Sequence, residues 1–291
     1  MLVHYKDLFK NNLSGRFAIP AFNSHNLEIT LGIIRAAVAK NAPVIVEAAA
    51  NTVKYAGLNN IYSIVASVAR DPSVTVPVAL HLDHDKDPEE IARAVDAGFS
   101  SVMIDASHLP FEENIVVTRK VVEYAHSKGV WVQAELGRLR GNEDWVSVSE
   151  AEALYTDPAE AEEFVRRTKV DTLAIAVGTL HGIIKFRENI KPKIDIERIK
   201  KIKERLDIPL ILHGASGIPA DQIDAAIAAG ICVINIDTEL RMAFSQAVRE
   251  AVKDENEIDP RKILKPAVDA VQKVCEFKLE EFHTAGKANE Y

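Results

Sequence analysis

The sequence is poor in cysteine, in aromatic residues and in long hydrophobic runs. Only 2 of its 291 residues are cysteines, Cys232 and Cys275, and aromatic residues make up 6% of the chain. Two cysteines are too few for a disulfide framework, so we expect buried thiols in a reducing compartment. No apolar run reaches the roughly 18 residues that a membrane span needs, and residues 1–10 lack the apolar core of a signal peptide. We therefore expect a cytoplasmic protein that has no membrane partner.

Positive charge is also in short supply. The chain has 35 Lys and Arg against 43 Asp and Glu, which gives a net charge of −8. This balance argues against a general nucleic-acid binder, although a local pocket can still hold a small anionic substrate. The hydrophobic fraction of 47% is ample for a packed core in a chain of this length.

Apolar runs of strand length alternate with helical segments along the whole chain. The runs are nearly continuous in Val, Ile, Leu and Ala, as in a parallel sheet that is covered on both faces. Eight such units predict a closed α/β barrel, the (β/α)8 TIM barrel, rather than an open doubly wound sheet. The predicted strands cover residues 17–23, 43–49, 76–83, 101–106, 130–136, 172–178, 209–214 and 232–237.

The sequence also indicates where helices begin and where the chain exceeds a plain barrel. Asp87-Pro88 and Asp157-Pro158 are helix starts, because proline suits the first helical position. Residues 260–283 predict one or two added helices, within a C-terminal helical extension over about 255–291. No linker or low-complexity tract interrupts the alternation, so we expect one domain over residues 1–291.

Three histidines follow three separate predicted strands. His84 ends the third strand, His181 lies just past the sixth, and His213 ends the seventh. A barrel places the C-terminal ends of its strands at one mouth, where its active site lies. Any one of these histidines alone is as readily a hydrogen-bonded interior residue, but the three together predict a metal site. Neutral imidazoles favour zinc or a similar first-row ion, and three ligands leave one coordination position open.

Several carboxylates lie at the same strand ends. Asp83 either orients a histidine ligand or donates and accepts a proton. Asp105 and Glu135 either hydrogen-bond at the barrel mouth or bind a second metal. Glu143 lies in the polar segment 137–149, which could close over the site and supply a base, although a lone loop glutamate is more often solvated. His81 is expected to have a structural role deeper in the barrel.

Two turns have the composition of anion sites. The segment 213–217 (HGASG) offers backbone N–H groups and a hydroxyl, and the segment 235–238 (NIDT) leads into a helix. Many barrels hold phosphate in the loops after the seventh and eighth strands, with help from a helix N-terminus. The position of both turns therefore indicates a phosphate site.

Taken in order, these motifs resemble those of the class II, metal-dependent ketose-bisphosphate aldolases, and the resemblance covers nearly the whole chain. The matching segments are PAFN at 20–23, APVI at 42–45, HLDH at 81–84, SVMIDASH at 101–108, AELG at 134–137, GTLHG at 178–182, LHGAS at 212–216 and NIDT at 235–238.

The resemblance implies roles for individual residues. It implies a catalytic Zn2+ on His84, His181 and His213, an acid/base at Asp83 and a mobile-loop base at Glu143. Asp105 and Glu135 match positions where the family can place a second divalent ion or a monovalent cation. The implied substrate-binding residues are Asn23, Gly182, Gly214, Ala215, Ser216, Asn235, Ile236, Asp237 and Thr238.

The activity implied is reversible cleavage of fructose 1,6-bisphosphate to dihydroxyacetone phosphate and glyceraldehyde 3-phosphate through a zinc-stabilised enediolate. Tagatose 1,6-bisphosphate is the alternative substrate, and a metal-dependent hydrolase on the same barrel is the alternative from another class. The resemblance also implies a homodimer or homotetramer. Ala49 replaces a serine of many relatives, and Lys287 is a candidate contact for the second phosphate.

Overall fold

Eight parallel strands close into a barrel around the molecule's central axis. The structure is a computed structural model that describes residues 1–10, 16–138, 140–143, 146–148, 155–183, 186 and 192–291, with the backbone alone for 140–143 and 146–148. The described strands are β1 (Ile19–Asn23), β2 (Val44–Ala49), β3 (Val78–Asp85), β4 (Ser101–Ile104), β5 (Trp131–Leu136), β6 (Arg140–Glu143), β7 (Val146–Val148), β8 (Thr172–Ile175), β9 (Leu180–His181), β10 (Leu210–Leu212) and β11 (Ile231–Ile236).

The order of strands around the barrel is β1-β11-β10-β8-β5-β4-β3-β2. Each of the eight predicted strand segments overlaps one of these strands, so the predicted barrel is confirmed. The sixth segment was predicted too long: β8 ends at Ile175, and residues 180–181 form the separate strand β9. This difference matters because His181 lies on β9, outside the barrel wall.

Helices surround the barrel and begin where the sequence predicts. Those described are α1 (Leu27–Ala39), α2 (Ala50–Ala56), α3 (Leu58–Ala69), α4 (Pro88–Ala97), α5 (Phe111–Ser127), α6 (Pro158–Thr168), α7 (Ile196–Lys203), α8 (Ala220–Ala228), α9 (Thr238–Ala251) and α10 (Pro260–Glu281). Asp87 and Asp157 cap α4 and α6, each accepting a hydrogen bond from a backbone N–H of the first turn. The predicted C-terminal addition is the single helix α10. In the described part of the chain, no helix is both long and apolar enough to cross a membrane.

Apolar side chains fill the part of the barrel interior that lies below the C-terminal ends of the strands. Residues such as Ala21, Ile45, Ala79 and Ile211 form an inner apolar cluster. A short 3₁₀ helix (Tyr5–Phe9) contributes three buried side chains to this cluster. Inward positions recur at every second residue along a strand. Since this apolar cluster occupies the lower inward positions, the inward positions near the strand ends are left for polar groups.

A small second sheet lies beside the barrel mouth. Strands β6 and β7 form an antiparallel hairpin, and β6 pairs in parallel with β9, with Gly141 opposite His181. The polar segment that the sequence predicts to close over the site is thus attached, through β6, to the strand that carries His181.

The C-terminal helix α10 packs against α1 at very close range. A Cβ atom built on Gly32 of α1 would lie 2.7 Å from Cγ1 of Val271 and 3.0 Å from the carbonyl oxygen of Val268. Only glycine allows the two helices to approach so closely.

We expect Gly32→Ala to lower the free energy of unfolding by about 1–3 kcal/mol, because overpacking at Val271 outweighs the gain in helix propensity. Denaturant unfolding of wild type, Gly32→Ala, Val271→Ala and the double variant measures the effect. The double variant should lose less than the sum of the single variants. Stabilisation by Gly32→Ala alone would contradict the close contact.

Candidate metal centre and active site

Three buried imidazoles converge at the mouth of the barrel. His84 lies on β3, His181 on β9, and His213 directly after β10. One ring nitrogen of each lies within 4.8 Å of those of the other two. Nε2 of His84 is 2.7 Å from Nδ1 of His213. The structure therefore brings together the three histidines that the sequence places at separate strand ends.

The backbone at His84 is strained. Its φ angle is +40°, a value that residues other than glycine seldom adopt. The pairing of β3 with β4 also shifts register between Leu82 and Asp85. Such irregularities re-aim a side chain, and strain of this kind clusters at functional sites. Here the irregular end of β3 brings the His84 ring to within reach of His213.

Asp105 orients the His84 ring. Its Oδ2 lies 3.4 Å from His84 Nδ1, and its Oδ1 accepts hydrogen bonds from the Ser107 hydroxyl and backbone N–H. Burial pushes the pKa of Asp105 upward, but the hydrogen bond and charge of His84, with the Ser107 bonds, outweigh it and hold the pKa below its ordinary value. An ionised Asp105 accepts the Nδ1–H proton, which leaves Nε2 of His84 as the metal-binding atom.

Gln133 plays the same part for His213, and sequence reasoning missed it. The Gln133 amide lies 3.0 Å from Nε2 of His213, on the side of the ring away from His84. An imidazole that binds metal through Nδ1 carries its proton on Nε2 and needs an acceptor there. The structure places the Gln133 amide nitrogen against the ring, and exchanging the amide oxygen and nitrogen by rotation about the side-chain bond brings the oxygen there to accept the Nε2–H.

Glu135 lies between two of the histidines. Its Oε2 is 3.9 Å from His84 Nδ1 and 3.7 Å from His213 Nδ1. His84, Asp105 and Glu135 also form a group close enough to hold an ion of their own. The geometry is compatible with a second metal and with hydrogen bonding to the rings, so the second-metal role of Asp105 and Glu135 stays a prediction.

Asp83 is fixed next to the histidines. Its Oδ2 accepts a hydrogen bond of 2.8 Å from the Asn23 amide, and its Oδ1 is 3.9 Å from Nε2 of His84. Glu47, a second buried carboxylate, accepts a hydrogen bond of 2.9 Å from Asn235. The sequence analysis did not single out Glu47, whose only signal is an acidic residue inside an apolar run.

His81 lies fully buried on β3. Its ring stacks on Tyr5 with centroids 5.2 Å apart, and Nδ1 lies 2.9 Å from the Ser101 hydroxyl. Burial, together with the charge of His84, lowers the pKa of His81 to about 3. The ring is therefore neutral at neutral pH and joins the apolar filling of the barrel to the polar mouth.

The glycines of the predicted phosphate turns have the backbone conformation that such turns need. Gly182 and Gly214 have φ angles of +79° and +65°. A Cβ on Gly214 would lie 2.7 Å from the carbonyl oxygen of Leu180, so the loop after β10 touches β9. Strand β9 and this loop hold two of the histidines, and the contact ties the predicted anion site to the metal centre.

The segment 235–238 reaches the mouth from β11. Asp237 is hydrogen-bonded to His25 at 3.0 Å and forms an ion pair with Arg241 at 2.9 Å. Thr238 begins α9, so the N-terminal turn of that helix follows directly.

Two of the predicted substrate-binding residues have side chains buried in the apolar core, Ala215 and Ile236. Only their backbones are available to a ligand. Ser216 is also buried, with 3% exposure. The substrate roles of these residues stay predictions.

Glu143 ends β6, two residues beyond Gly141, which is paired with His181. Its backbone therefore runs beside the strand that carries a histidine of the centre, while its side chain lies outside the described part of the structure.

Lys287 lies elsewhere within the chain. Its Nζ lies over the Phe17 ring and pairs with Glu290, near the start of β1 and away from the mouth. The contact with the second phosphate, for which a reach into a neighbouring subunit is the expected form, stays a prediction.

The donor set fits a catalytic zinc-type ion. Three converging imidazoles, two of them contacting a residue that can orient the ring, are typical of a site that keeps one position for a substrate. The buried carboxylates around them supply the negative charge that a divalent cation needs.

We expect Asp105→Asn to weaken zinc binding by roughly 10–100-fold, the usual effect of losing a partner that orients a ligand. Chelator competition on the full chain measures this affinity. Asp171→Asn, which alters a carboxylate that bonds His126, serves as the control and should leave zinc affinity unchanged. Equal affinity in Asp105→Asn and wild type would contradict the orienting role.

Comparison with known proteins identifies the family. The family model for fructose-bisphosphate aldolase class II matches residues 3–287. A fructose-bisphosphate aldolase of Geobacillus stearothermophilus is 46% identical over 289 residues, and one of Staphylococcus epidermidis is 41% identical over 289 residues, each alignment covering 99% of both chains. The crystal structure of the YdjI aldolase from Escherichia coli K12 superposes with a TM-score of 0.85 at 34% identity, covering 99% of this chain and 100% of that one. The chain belongs to the class II fructose-bisphosphate aldolase family, whose members are lyases.

Proposed function

We propose that this protein reversibly cleaves fructose 1,6-bisphosphate to dihydroxyacetone phosphate and glyceraldehyde 3-phosphate. The observation that carries the proposal is the convergence of His84, His181 and His213 beside Asp83. It is supported by two relatives named fructose-bisphosphate aldolase that align over nearly the whole chain.

Class II aldolases depend on zinc in general. His84, His181 and His213 would hold a divalent metal, which would polarise the substrate ketone and stabilise negative charge on its oxygen. The chain's own part is to orient His84 through Asp105 and His213 through Gln133, so that the same nitrogens face the centre in every turnover.

Asp83 is the acid that protonates the aldehyde oxygen in the synthetic direction and the base that removes this proton in cleavage. The Asn23 amide holds Oδ2 at 2.8 Å, and Oδ1 lies beside His84. One carboxylate oxygen is thus fixed while the other faces the centre, and this arrangement suits proton transfer at a defined position.

Glu143 is the base that moves the proton on the carbon next to the ketone. The support is the backbone register, since β6 pairs with β9 two residues before Glu143. The hairpin belongs to a sheet separate from the barrel, whereas Asp83 lies on a barrel strand. The two proton transfers are therefore assigned to two separate elements.

The phosphate turns hold the non-reacting end of the substrate. Backbone N–H groups of 214–216, Gly182 and the start of α9 would surround one phosphate. Fixing that phosphate places the ketone at the metal centre and replaces a bimolecular encounter with a fixed orientation.

We expect the zinc-loaded protein to cleave fructose 1,6-bisphosphate in preference to tagatose 1,6-bisphosphate, and to lose activity on chelation and regain it with zinc. Parallel cleavage assays of both sugars measure this. Preference for the tagatose isomer would change the substrate but not the mechanism.

One further assay distinguishes an aldolase from a hydrolase on the same barrel. An aldolase exchanges a hydrogen of dihydroxyacetone phosphate with solvent deuterium in the absence of the aldehyde, and a hydrolase does not. Cleavage of neither sugar, together with no exchange, would overturn the proposal.

We expect Asp83→Ala to retain zinc and to reduce turnover by roughly 10²–10⁴-fold, the usual contribution of a positioned acid or base. Metal analysis and cleavage kinetics on the same preparation measure both quantities. Asp85→Asn is the matched control, since Asp85 lies on the same strand and bonds the backbone of Asp87. Near-normal turnover in Asp83→Ala would show that the assigned role is wrong.

A further inference from the structure

A buried lysine of the C-terminal helix lies at the end of a chain of contacts that leads to the predicted phosphate loop. Lys278 of α10 is only 4% exposed. Its ammonium lies 3.1 Å from Oε2 of Glu239 and 2.8 Å from Oε2 of Glu281. Burying an ammonium is costly unless it is paired, and these two carboxylates pair with Lys278.

Glu239 connects this lysine to the loop after β10. Its other carboxylate oxygen, Oε1, accepts a hydrogen bond of 2.5 Å from the backbone N–H of Gly217. Gly217 has a φ angle of +74° and ends the segment 213–217. The carboxylate thus fixes the last residue of a loop whose conformation depends on glycine.

Glu239 also belongs to the other predicted phosphate segment. It directly follows Thr238, at the start of α9. One side chain therefore joins the loop after β10 to the loop after β11, and both loops supply groups to the same proposed phosphate site. The strands β10 and β11 are paired neighbours in the barrel, and this contact adds a side-chain link between the loops that follow them.

The negative charge of Glu239 needs a positive charge nearby, because Glu239 lies beside the proposed phosphate site. A carboxylate beside an anion site repels the anion, and the repulsion grows as water is excluded. The Lys278 ammonium lies against Glu239 in a largely buried setting, with side-chain exposures of 5% and 19%. Lys278 therefore allows an acidic side chain to shape a loop that binds phosphate.

We propose that Glu239 and Lys278 are positioning residues that hold the loop 213–217 in its phosphate-binding form. This inference rests on the proposed function, because it concerns the phosphate of dihydroxyacetone phosphate. It gives the C-terminal helix a part in substrate binding, in addition to its packing against α1.

The first test compares Glu239→Ala with Glu239→Gln in the zinc-loaded full chain. Alanine removes the acceptor for the Gly217 N–H, whereas the glutamine amide oxygen can still accept it. We expect alanine to weaken dihydroxyacetone phosphate binding by about tenfold and glutamine by about twofold or less, with calorimetry as the measurement. The KM for bisphosphate cleavage should rise more than kcat falls, and zinc content should not change.

The second test compares Lys278→Gln with Lys278→Arg. Glutamine leaves the Glu239 charge without compensation and should lower affinity for dihydroxyacetone phosphate, while arginine should restore most of it. Lys40→Met is the control, since Lys40 forms an ion pair with Glu280 of the same helix at a more exposed position. That variant should bind dihydroxyacetone phosphate as the wild type does.

The outcomes separate this inference from the proposed function. If the wild type binds dihydroxyacetone phosphate but cleaves neither bisphosphate, the proposed substrate fails while the loop test stands. Glu239→Ala binding as tightly as wild type would overturn the inference. A lower melting temperature with unchanged affinity in Lys278→Gln would assign that residue to folding alone.

Discussion

The approach of three buried imidazoles to one point is the constraint on which the rest of the site depends. Nε2 of His84 and Nδ1 of His213 lie 2.7 Å apart, with a nitrogen of His181 close by. Two ring nitrogens this close either share one proton in an N–H···N hydrogen bond or bind one cation. The Asp105 carboxylate accepts from Nδ1 of His84 and directs Nε2 to the shared position, and the Gln133 amide does the same for His213 when its oxygen faces the ring; together they favour a metal ion as the shared partner.

The packing of the barrel interior brings the polar groups together at one end of the barrel. Apolar side chains and the ring of Tyr5 occupy the lower interior, so the polar inward positions on β3, β5 and β11 gather near one end. His181 reaches the same point from β9, which is tied to the hairpin β6–β7 on one side and to Gly214 on the other. Strand β9 therefore carries one predicted metal ligand, and it lies beside both the strand with the predicted base and the predicted phosphate loop.

Much of this arrangement is predictable from the sequence, and the exceptions have physical reasons. The eight strands are visible as apolar runs of strand length, and the three histidines are visible because each lies at or just after the end of such a run. Gln133 and Glu47 are not identifiable from the sequence, because each is a single polar residue within an apolar run. Whether its side chain points into the barrel depends on which residues of the strand face inward. The link from Lys278 through Glu239 to Gly217 joins three distant segments, and no local pattern carries it.

The most direct measurement of the central claim is a zinc-soaked crystal structure with anomalous scattering at the zinc edge. We predict one strong peak bonded to Nε2 of His84, Nδ1 of His213 and a ring nitrogen of His181, at distances of about 2.0–2.1 Å. A principal peak among Glu47, His81 and Asp83, another buried group of the described residues that could hold an ion, would contradict this prediction. Absence of bound zinc at the barrel mouth would also contradict it.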